Sequence, residues 1–201
     1  HNKVHTSDLN ALNTWQIVAG PSSGDFYRVP ANWPVPHSKV EDVLDALNNH
    51  ATLPGDKLND LTNLYGGMEF WILDEDLSVN LDKLNSEEPF DFVSVFYYGM
   101  PTGDRSKALE IFKDFKVASE QIEYDRVWWV MTKASGGNMN VVIYATPHKT
   151  RSEMLAPDFA LRAKVVNKMT ENKPEMSLSG AWTWTQNQVL KLRRDLSTSS
   201  N

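Results

Sequence analysis

The run Phe90–Tyr98, FDFVSVFYY, is the stretch on which the fold turns. Aromatic and β-branched residues dominate it, and such side chains suit a pleated, half-buried surface, so it is expected to be a strand. Gly99 and Pro101 end it. Beyond them Asp104 can cap a helix. There Ala108, Leu109, Ile111, Phe112, Phe115, Ala118 and Ile122 recur at three- and four-residue spacing, which makes one apolar helix face. Val127–Thr132 (VWWVMT) reads as a second strand, Gly136-Gly137-Asn138 as a turn, and Val141–Ala145 (VVIYA) as the returning strand. Thr150 and Glu153 form a capping box before a helix carrying Met154, Leu155, Phe159, Leu161, Val165, Val166 and Met169, with Pro157 near its first turns. Ala181–Val189 (AWTWTQNQV) alternates and closes the series as a strand, its alternation sending Trp182 and Trp184 to one face. The order is β-α-β-β-α-β.

Working back toward the N-terminus, the later part of this pattern recurs. Trp15, Ser22 and Gly24 align with Trp128, Ser135 and Gly137 at an offset of 113; Pro36-His37 aligns with Pro147-His148 at 111; Ala46-Leu47, Leu64 and Gly66 align with Ala160-Leu161, Leu178 and Gly180 at 114; Asp82 aligns with Asp195 at 113. Trp15–Ala19 and Phe26–Val29 read as a hairpin around Pro21–Gly24. Ser38 and Glu41 open a short helix with Val40, Val43, Leu44 and Leu47, and Met68–Leu73 is the closing strand. The expected organisation is therefore a first repeat over residues 1–88, lacking its initial strand and helix, and a complete second repeat over residues 89–201.

The β-α-β-β-α-β order is the split ferredoxin-like motif, an antiparallel sheet with helices on one face. Two copies in one chain can shield each other's other face, sheet against sheet, which gives an α+β fold of two face-to-face ferredoxin-like repeats. Arranged so, the chain resembles the dimeric α+β barrel superfamily in a fused, tandem form. That superfamily includes antibiotic-biosynthesis-type monooxygenases, haem-degrading enzymes, chlorite dismutase-like proteins and stress-induced proteins. The resemblance implies either a cavity for a small ligand or an enzyme of the cofactor-independent monooxygenase or haem-handling kind.

Composition narrows the classes. The 201 residues include seven Trp, eight Phe and six Tyr, enough to build a core and line a pocket. Net charge is −6, divided as −9 over residues 1–88 and +3 over residues 89–201. Only Lys191, Arg193 and Arg194 approach a basic cluster, so nucleic acid is not an expected partner. The asymmetry instead suits contact between the halves or between copies, so a homo-oligomer or a non-catalytic assembly protein is a further expectation. The absence of cysteine excludes disulfides, thiolate metal sites and cysteine nucleophiles. No apolar run reaches the roughly 18 residues of a membrane span. The start at His1 fits either a removed signal peptide or trimming of a longer chain; an exported or periplasmic bacterial protein is expected, with a cytoplasmic one as the alternative.

Candidate site residues follow from residue type and position. His37 and His148 repeat in the same Pro-His context before a helix N-terminus, where the dipole favours neutral imidazole, a ligand or base near neutral pH. Arg28 lies between Tyr27 and Val29 on a strand, and on an inward face it would need a carboxylate or an anionic ligand. Tyr98, Tyr144, Trp129, Trp182 and Trp184 lie on strands and could line a pocket for a small apolar or aromatic molecule. No HxH, HExxH, GxSxG or dinucleotide motif occurs. The acidic stretch LDEDLSVNLDKLN lacks the central Gly and closing Glu of a calcium loop. Neither metal nor cofactor is expected, and a binding protein is the leading functional expectation.

Overall fold

In the computed structural model, residues 12–30, 69–85, 90–102, 105–135, 138–155, 159–176 and 181–197 are described. Strands β1 (Leu12–Ala19) and β2 (Phe26–Pro30) form a hairpin, and β3 (Phe70–Val79) follows. Then come β4 (Phe92–Gly99), helix α1 (Arg105–Gln121), β5 (Trp128–Ser135) and β6 (Val141–His148). Helices α2 (Arg151–Leu155) and α3 (Phe159–Asn172) stand where one helix was expected, and β7 (Trp184–Leu192) is the last strand. The expected cap of α2 is present: Glu153 N–H donates to Thr150 Oγ1 at 3.1 Å, and Glu153 Oε2 accepts from Lys149 N–H at 2.8 Å. The expected helix after Ser38 lies outside the described residues.

The seven strands of the described residues belong to one antiparallel sheet in the order β2-β1-β7-β4-β6-β5-β3. This overturns the expectation of two ferredoxin-like sheets packed face to face. The strands before residue 88 form no sheet of their own. The β1–β2 hairpin pairs through β1 with β7, and β3 pairs with β5 at the opposite edge. The physical reason lies in the edges. A lone two-stranded hairpin is marginal in water, and β5 and β7 would otherwise present unpaired N–H and C=O rows. Main-chain pairing satisfies both needs at once, and stacking would satisfy neither.

The sheet has two apolar faces. On one, α1 lays Ala108, Phe112 and Ala118, and α3 lays Val165 and Met169, against Trp128, Val130, Val142 and Tyr144. On the other, Trp15, Ile17, Leu73, Val93, Val95, Trp129, Met131, Ile143, Ala145 and Leu190 form a second core. Trp128 and Trp129 point to opposite faces and both are fully buried. Burial of each indole contributes about 4–6 kcal/mol of transfer free energy before entropy is counted.

Long side chains bridge non-adjacent strands over the second face. The rings of Trp71 on β3 and Tyr97 on β4 have centroids 6.3 Å apart, with β5 and β6 between their strands. Phe90, just before β4, lies 5.8 Å from the Trp15 ring on β1 and 6.2 Å from the Trp129 ring on β5.

Candidate functional site

Polar chemistry gathers at one end of the second face. Along β5, Trp129, Met131 and Lys133 alternate onto that face, so a lysine occupies a position the pattern reserves for an apolar side chain. Its cross-strand partner is Trp71. The Lys133 side chain is only 6 % exposed. Burying an ammonium costs several kcal/mol unless it is compensated. Here Glu69 Oε1 accepts from Nζ at 2.6 Å, and the Trp71 ring lies 4.7 Å beneath the charge. Trp71 Nε1–H donates to the other carboxylate oxygen, Glu69 Oε2, at 3.0 Å. The carboxylate is thus gripped by two donors, while its own side chain stays 47 % exposed.

Three more polar side chains adjoin this group. Tyr97, edge-on to Trp71, donates its hydroxyl to Gln188 Oε1 at 3.0 Å. Tyr27, reaching over from β2, donates to the same oxygen at 3.3 Å. Gln188 Nε2 donates to the Pro21 carbonyl at 2.8 Å, so the amide is held at both ends. Burial pushes the Tyr97 phenol well above its ordinary pKa, and the neighbouring Tyr27 hydroxyl and Glu69 carboxylate push it further. Tyr97 therefore stays a protonated donor. One buried cation, two phenol hydroxyls, an amide and an indole thus lie close together, each bonded within the chain.

The described residues singled out in the sequence are spread over both faces of the sheet. Tyr98 and Trp182 pack at 4.7 Å with Phe112 against the helices, and Tyr144 stacks with Phe112 at 6.5 Å. Burial raises the pKa of both phenols, and these three residues are core under α1. Trp129 is core on the opposite face. The expectation that Trp182 and Trp184 share a face fails, because regular alternation starts only at Trp184. Trp182 joins the helix-side core. Trp184 lies 41 % exposed, its indole across Gly99, where an added Cβ would meet Nε1 at 2.2 Å. His148 is buried on the helix side, with Nε2 3.0 Å from Ser94 Oγ and Nδ1 unpartnered among the described residues. Burial lowers its pKa, Glu153 opposes that shift, and Arg126 and Arg162 add to it. His37 and the Arg28 side chain lie outside the described residues.

Sequence reasoning missed Glu69, Trp71, Lys133 and Gln188, took Tyr97 only as one of several strand aromatics, and read Tyr27 only as a neighbour of Arg28. One signal was present: continued one residue past Thr132, the alternation of β5 places Lys133 in line with Trp129 and Met131. A shallow groove of about 340 Å³ between α1 and α3 is lined by Asp114, Val117, Gln121, Met169, Asn172 and Lys173. Its polar groups are already engaged with one another, Lys173 with Asp114 at 2.8 Å and Asn172 with Gln121 at 2.8 Å. Among the described residues no three His, Asp or Glu side chains gather as a metal site, and no helix is long and apolar enough to cross a membrane. Comparison with family models, curated proteins and solved structures finds no match to this chain.

Proposed function

We propose that this protein binds a small aromatic or apolar molecule at the Lys133 end of the second sheet face and carries out no reaction on it. The observation that carries this reading is the setting of Lys133: a buried, compensated cation over the Trp71 ring, which meets Tyr97, on an otherwise apolar surface. Apolar walls with a few convergent polar groups are the usual make-up of a small-molecule site. Tyr27, 38 % exposed, and Glu69 put this end within reach of solvent. The Tyr97 phenol, its pKa raised, and the amide of Gln188 suit orientation of a ligand rather than proton transfer.

The test is a titration with 2-naphthol, a neutral aromatic carrying one hydroxyl, followed by tryptophan fluorescence. Saturable binding is expected, weakened about tenfold (about 1.4 kcal/mol) by Trp71→Leu and by Tyr97→Phe. No saturation, or affinity unchanged in both variants, refutes the site.

A further inference from the structure

Resting on that reading, we infer that Lys133 Nζ and Trp71 Nε1 form a carboxylate-recognition fork, that Glu69 closes it from within the chain, and that the ligand is an aromatic carboxylate that displaces Glu69. The fork stands on paired strands. Lys133 and Trp71 are opposite one another in the β3–β5 ladder, and the ammonium rests on the indole face at 4.7 Å. Their donors divide the two oxygens of a single carboxylate, 2.6 Å to Oε1 and 3.0 Å to Oε2. One positive charge and two directed donors match a carboxylate monoanion better than a phosphate dianion.

The occupant differs from the fork. Glu69 precedes β3 and takes part in no strand pairing, and its side chain is about half exposed where that of Lys133 is 6 % exposed. Withdrawing Glu69 costs little at Glu69 itself, because water can take it up. At Lys133 it leaves a buried ammonium without a counter-ion, which is strongly unfavourable. The open state is therefore poised to take an anion from outside. The surroundings set the rest of the ligand's chemistry. The Tyr97 ring stands edge-on to Trp71, and the hydroxyls of Tyr27 and Tyr97 lie beyond it, so an aryl group attached to the carboxylate meets aromatic surface. In the wild type, Glu69 competes as a tethered ligand and lowers apparent affinity.

The experiment compares 2-naphthoate with neutral 2-naphthamide in wild type, Glu69→Gln, Lys133→Met and the Lys133→Met/Glu69→Gln double variant, by fluorescence titration and thermal unfolding. Expected results are at least tenfold tighter naphthoate binding by Glu69→Gln than by wild type, a larger naphthoate-induced rise in Tm for that variant, and no naphthoate preference once Lys133 is Met. If naphthamide binds but Glu69→Gln gains nothing for naphthoate, the fork assignment is overturned while the binding reading stands. If neither probe binds any variant, both fall. Should Glu69→Gln not fold, wild type against Lys133→Met decides: equal preference for naphthoate in the two overturns the inference.

Discussion

Gly20 and Gly24 sit in the same hairpin turn, and replacing each by alanine measures whether β1 lies against β7. Both have positive φ, +97° and +104°, where an L side chain costs about 1–2 kcal/mol. Both substitutions also restrict the unfolded chain similarly, so that contribution cancels in the comparison. They differ in their surroundings. An alanine Cβ at Gly24 meets nothing within 4 Å. At Gly20 it falls 2.3 Å from the Asn187 carbonyl oxygen and 3.1 Å from Gln188 Cα, backbone atoms of β7 that cannot rotate away. Restoring ordinary contact requires the strands to part by roughly 1 Å beside the Ala19↔Val189 and Ile17↔Leu190 pairs, weakening ladder hydrogen bonds worth about 1 kcal/mol each. Gly20→Ala should therefore cost about 2 kcal/mol more than Gly24→Ala, and urea unfolding should show its midpoint lower by about 1 M. Equal midpoints for the two variants would refute the edge-to-edge pairing of β1 and β7.

Three further outcomes are expected. Lys133→Met should leave stability unchanged or raise it slightly, whereas Glu69→Ala should lower it by about 1–3 kcal/mol, since only the second leaves an ammonium buried without its carboxylate; denaturant titration of both variants checks the asymmetry. His148 has a lowered pKa in the folded state, so the unfolded chain takes up the proton first. Stability should be unaffected above about pH 6.5 and fall below it by at most about 1.4 kcal/mol per pH unit until the folded-state pKa is passed. His148→Gln should flatten that part of the profile, and an unchanged slope would contradict it. Phe90→Ala removes the ring between Trp15 and Trp129, should cost about 2–3 kcal/mol, and should shift tryptophan emission to the red; an unaltered spectrum would show that the rings do not meet.

Much of the local structure was legible because it depends on neighbours within one or two turns of chain. Phe90–Tyr98 became β4, the apolar spacing of residues 108–122 became the packed face of α1, and Thr150 with Glu153 became a cap. The lateral order of the strands was not legible. Period-two alternation says which side chains share a face, but a strand's edges are main-chain N–H and C=O groups, alike for every residue. Nothing in Trp15–Ala19 specifies whether its free edge meets β7 or remains outside a second sheet. The site was hidden for a related reason. Lys133 and Glu69 are 64 residues apart, and each alone is an ordinary charged residue. The chain by itself determined β4, the packed face of α1 and the cap of α2. The pairing of β3 with β5 and of β1 with β7 decided that Trp71, Tyr97, Lys133, Glu69 and Gln188 gather, because it sets the rows of β3, β4, β5 and β7 on one face of a single sheet.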